Sequence, residues 1–81
     1  MDVETKKLLD QAAEMLENAF SAVCRAKMDV DVMIRHAETG SATLVVKNYK
    51  EFLEEKEDAV ALLFGALSLI KPYCEEMMKK T

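Results

Sequence analysis

Few residues in this chain have types that do chemistry, and their spacing argues against each familiar use. The one histidine is His36. A di-metal site in a helical bundle uses Glu-x-x-His, which puts two ligands one turn apart on the same inward face. Met33 stands where that glutamate is needed. Cys24 and Cys74 are fifty positions apart and lie near no second histidine, so they make no zinc-ligand pattern. They read as two small apolar side chains in a reducing compartment, with no disulfide framework. There is no glycine-rich phosphate loop and no Gly-x-Ser-x-Gly. The expectation is a non-enzymatic protein with no cofactor and no metal.

Charge narrows the partners. The net charge is −4, and the lysines and arginines are dispersed rather than gathered into a stripe. Phosphate backbones and anionic membranes need a basic face. The amino-terminal MDVETKKLLD has acids where an export signal has a cationic end and an apolar run. The longest near-apolar run, residues 59–70, has 12 residues against the roughly 20 that span a bilayer. A cytoplasmic protein that binds neither nucleic acid nor membrane directly is expected.

Two glycines and one proline leave few places to turn. The clearest is Thr39-Gly40-Ser41, with Gly40 suited to the left-handed residue after a helix and Ser41 to the next cap. With no tryptophan in the chain, this is not the Trp-x-Gly turn of small secreted helical hairpins. On the amino-terminal side, Leu9, Leu16, Val23, Val30 and Ala37 recur every seven residues. Ala12, Ala19, Ala26 and Met33 form a companion series. On the carboxy-terminal side, Val46, Leu53, Val60, Leu67 and Cys74 accompany Tyr49, Lys56, Leu63, Ile70 and Met77. Such repeats describe helices with broad apolar faces.

The predicted fold is all-α: one domain over 1–81, with helices at about 2–38 and 42–71. Pro72 either kinks the second helix or starts a short last one at 72–80. Folding the chain at Gly40 pairs the two seams at numbers summing to 79, so that Ala19 meets Val60 and Leu16 meets Leu63. Lys56 then falls mid-seam, with its stem packed and its ammonium reaching solvent.

An α-β-β-α alternative places strands at 29–35 and 43–47, where β-branched residues gather, and a helix start at Asn48 with Glu51 three residues on. The uninterrupted seven-residue phase favours the helical hairpin.

In that hairpin a second stripe on the last helix, Leu62, Gly65, Ala66, Leu69 and Tyr73, has nothing to cover it. It is therefore the expected oligomer interface, most simply of a homodimer forming a four-helix bundle. The acidic ridge Glu51, Glu54, Glu55 and Asp58 is the expected face for an unidentified protein partner. The function these features imply is that of a small acidic protein–protein interaction module. Two alternatives are an inhibitor that blocks a nucleic-acid-binding enzyme by acidic mimicry, and a small-ligand sensor using the bundle interior.

Overall fold

The computed structural model describes residues 3–80 and consists of two long helices, α1 (Val3–Glu38) and α2 (Ala42–Lys80), packed as an antiparallel hairpin. The expected helix start at Asp2 lies outside the described residues. Both segments proposed as strands are helical, 29–35 within α1 and 43–47 within α2. Asn48 begins nothing; its side-chain amide donates to Glu51 Oε2 at 3.4 Å within α2. At about 1.5 Å rise per residue, 36 and 39 residues make rods matching the long dimension of the 59 × 20 × 15 Å molecule.

Three residues make the turn. Gly40 has φ +77°. Its N–H donates to the Ala37 carbonyl at 3.1 Å, and the Ser41 N–H reaches back to the His36 carbonyl at 2.9 Å. This is the Schellman closure of a helix, which satisfies the last carbonyls of α1 through one left-handed residue. The Ser41 carbonyl then accepts from the N–H groups of Leu44 and Val45, which starts α2 within the same three residues.

Pro72 does not end α2, which runs through it to Lys80. Proline has no N–H to offer the Ser68 carbonyl one turn back. One turn earlier, the Ser68 hydroxyl donates to the Phe64 carbonyl at 2.9 Å. Packing along the rest of the hairpin carries the helix across this weak point, as tertiary contacts commonly override local preference.

The seam between the helices is built from small residues. Ala12, Ala19 and Ala22 on α1 and Ala59 and Ala66 on α2 are its buried apolar members, at most 6% exposed. No large side chain is fully buried. Met15 lies against Gly65 and Arg25 bonds Glu55, so opposing residues have numbers adding to 80. The expected register is therefore correct to one position.

The expected faces are not. Only the alanine series of the α1 seam turns inward. Leu16, Val23 and Val30 are 42%, 52% and 39% exposed. On α2 the expected seam residues Val46, Tyr49, Val60, Leu63 and Leu67 are all exposed, as is Lys56. The inward stripe of α2 is instead Phe52, Ala59, Leu62, Ala66, Leu69 and Tyr73, each buried or half-buried. Small residues let the two backbones approach closely, and that decides which of two apolar stripes faces the neighbour.

Two substitutions test this geometry. Gly40→Ala adds a Cβ that meets nothing within 4 Å, so its cost is backbone strain alone. It should lower stability in urea titrations by about 1 kcal/mol, with Gly40→Asn costing less. A Cβ at position 65 runs into the terminal methyl of Met15. Gly65→Ala gains about 1 kcal/mol of helix propensity but must displace that methyl. Its gain should therefore be larger in a Met15→Ala background than in the parent, measured at fixed protein concentration.

Candidate interaction surface

The two sides of the hairpin differ in kind. Between the helices on one side runs a groove lined by Asn18, Ser21 and Arg25 of α1 and by Asp58, Ala61 and Leu62 of α2. On the other side the groove is lined by Val23 and Ala26 of α1 and by Phe52, Ala59, Val60 and Leu63 of α2, with Glu55 and Lys56 at its edge. The exposed apolar residues of both helices flank this second groove. Phe20 and Ile34 extend it along α1, at 69% and 52% exposed. Phe64 and Leu67 extend it along α2, at 64% and 51%. Apolar residues scattered singly over a surface are ordinary, but a continuous face of this size is not.

The stripe Leu62, Gly65, Ala66, Leu69 and Tyr73, expected to meet a second molecule, lies on the side of α2 that α1 covers. Ala66 is 1% exposed within the single chain, and Gly65 lies against Met15. The physical reason is again the size of the residues. Gly65 and Ala66 permit a close helix approach, as expected, but the approaching helix is α1. Leu63, Phe64 and Leu67 are not expected on the uncovered face, because heptad spacing puts Leu63 and Leu67 in the internal seam. The usable signal is the seven-residue spacing of Ala59 and Ala66, which repeats that of Ala12, Ala19 and Ala26.

The polar side carries the acidic ridge. Glu51, Glu54 and Asp58 are exposed. Glu55 is half-buried and accepts a 2.8 Å hydrogen bond from Arg25 Nε, the one ion pair seen between the helices among the described residues. That bond raises the Arg25 pKa above its ordinary value, with Glu55 and Asp58 adding to it through space. Asp29, level with this pair on α1, has its carboxyl pKa raised, first by desolvation and then by repulsion from Glu51 and Glu55. The ridge is thus an acidic cluster pinned at its centre by one guanidinium.

Among the described residues no group of three or more His, Cys, Asp or Glu side chains is placed to hold a metal ion, and no helix is long and apolar enough to cross a membrane. Cys24 and Cys74 are both exposed free thiols. His36 is half-buried at the end of α1, and its carbonyl accepts from the Thr39 hydroxyl at 3.0 Å. No family model matches the chain, and neither the curated proteins nor the solved structures include a similar one.

The raised Asp29 pKa has a thermodynamic sign. Its folded pKa lies above its unfolded one, so the folded state binds the proton more tightly. Stability falls as pH rises through that interval, and the ionised carboxylate opposes folding above it. Asp29→Asn should therefore raise Tm at pH 7. The gain should fade as pH drops below the ordinary carboxylate pKa of about 4, where Asp29 is protonated in both states. Thermal melts across pH 3–8 at fixed ionic strength check this.

Proposed function

We propose that this protein is a non-catalytic protein–protein interaction module that acts as a homodimeric helical bundle. The observation that carries the reading is the area left uncovered. The hairpin exposes 6272 Å². A compact monomer of its 9.1 kDa mass would expose about 4,900 Å². Its radius of gyration is 18.2 Å, against about 12 Å for a compact domain of this length. The excess, roughly 1,400 Å² per copy, amounts in a dimer to about 2,800 Å², within the range of obligate homodimers.

A second copy fits this face better than a small ligand does. The face runs along a 59 Å rod, whereas a ligand pocket encloses its guest. Two hairpins stacked on these faces make a four-helix bundle whose interior holds Val23, Val60, Leu63 and Leu67. The alanine seams then lie inside each copy. The acidic polar sides remain outward, and Glu51, Glu54 and Asp58 are the groups offered to a further protein partner. Arg25 within that ridge weighs against charge mimicry of a nucleic acid, which calls for an uninterrupted anionic track.

Light scattering coupled to size exclusion should give about 18 kDa, twice the chain mass. Leu63→Glu with Leu67→Glu should yield a 9 kDa species, because both side chains are about half exposed in the single hairpin and sit outside its alanine seam. A parent protein that stays at 9.1 kDa through the micromolar range overturns the homodimer.

A further inference from the structure

The proposed homodimer can have either of two symmetries, and the choice between them rests on that reading. Two hairpins joined by their apolar faces are related by a two-fold axis lying between them. If the axis runs along the rod, both turns lie at one end and α1 of each copy packs on α2 of the other. If the axis crosses the rod, the turns lie at opposite ends, α1 packs on α1 and α2 on α2. Neighbouring helices are antiparallel in both, so helix packing does not choose between them.

Register does choose. An axis along the rod leaves every residue at its own height. Residues of α1 then meet those of the partner's α2 at the levels already fixed within one chain, with numbers adding to about 80. A crossing axis reverses height. Full overlap of the rods centres it on the helix midpoints, so that paired numbers in α1 add to about 41 and those in α2 to about 122.

At about 100° per residue, the outer edge of α1 beside the apolar face carries Lys6, Asp10, Asp31 and Arg35. The matching edge of α2 carries Lys50, Lys71 and Glu75. Several of these are already charge-paired along their own helices and remain largely exposed: Lys6 with Asp10 at 2.9 Å and Lys71 with Glu75 at 3.8 Å. With the axis along the rod, Lys6 is level with Glu75 of the partner subunit, Asp10 with Lys71 of the partner subunit, and Asp31 with Lys50 of the partner subunit. All three are opposite-charge pairs. With the axis across the rod, Lys6 meets Arg35, Asp10 meets Asp31, and Lys50 meets Lys71. All three are like-charge pairs. Edge charges add little affinity, but they suppress wrong alignments. The along-rod arrangement also brings Lys27 within a turn of the partner subunit's Lys56, but Lys27 is already held by Asp31 at 2.8 Å.

We infer that the two-fold axis runs along the hairpin, so that the dimer presents both Thr39–Ser41 turns side by side at one end and both pairs of chain termini at the other.

Charge variants read the two arrangements with opposite sign. With the axis along the rod, Lys50→Glu and Asp31→Lys should each weaken dimerisation about two- to fivefold at low salt, and the double variant should recover the parent Kd. With the axis across the rod, each substitution relieves a like-charge pair and tightens the dimer, which overturns the inference. Cysteine mapping gives an independent reading in a Cys24→Ser, Cys74→Ser background, where both native thiols are exposed. Phe20→Cys and Val60→Cys chains should form a mixed disulfide with each other and little of either homodisulfide. Efficient homodisulfides of each single variant without the mixed species overturn the inference. A parent protein that is monomeric by mass removes the homodimer itself, a different failure from a dimer with the wrong axis.

Discussion

The constraint on which the molecule depends is the closeness of its two helices. Alanines at 12, 19 and 22 oppose a face carrying Ala59, Gly65 and Ala66, so the backbones approach with little side-chain volume between them. Close approach gives good contact per residue but buries little apolar area, since an alanine carries one methyl. A hairpin held this way forgoes the large-residue core that usually offsets the entropy of ordering a chain. Its larger residues must find burial elsewhere, and the geometry directs those of both helices to one side.

Two sides of different chemistry result from that placement. Turning the α1 alanines inward carries Phe20, Val23 and Ile34 to one flank and Asn18, Ser21 and Arg25 to the other. The same rotation on α2 separates Val60, Leu63 and Leu67 from Glu51, Glu54 and Asp58. The Arg25–Glu55 pair closes the seam on the polar side, where water would otherwise reach it. Such an ion pair adds little stability by itself because it is exposed. Its geometric effect is to fix which levels of α1 and α2 face each other, reinforcing the register set by Met15 against Gly65.

Much of this is legible in the sequence. The turn at Gly40 is written in a single glycine between two long heptad patterns, and those patterns exclude strands because they keep their phase through Val30 and Val46. The existence of two apolar stripes on α2, one more than α1 covers, is equally readable. Which stripe meets α1 is not. Pairing large aliphatic residues across the seam and facing small against large fills volume in either orientation, and heptad spacing is blind to a rotation that exchanges one stripe for its neighbour. The distinguishing information is the coincidence of small residues on both helices at matching levels, Ala19 and Ala22 opposite the turn of α2 that holds Ala59. Pro72 misleads for a different reason. A proline breaks a helix whose stability is local, and α2 is stabilised along its length by its neighbour.

The stripe exchange strengthens the case for assembly. Had Leu62, Ala66 and Leu69 been the uncovered set, the exposed stripe would have belonged to one helix only, a narrow line with a glycine in it. The face that is open belongs to both helices, spans the groove between them and runs the length of the rod. A single helix from another protein would fill the groove and leave both flanks wet. A second copy of the same hairpin matches the face in length, width and chemistry, because self-complementarity under a two-fold axis is guaranteed by symmetry for position and has to be arranged only for charge. The alternation of lysine and aspartate along α1, level with glutamate and lysine along α2, meets that remaining condition in one alignment and violates it in the other.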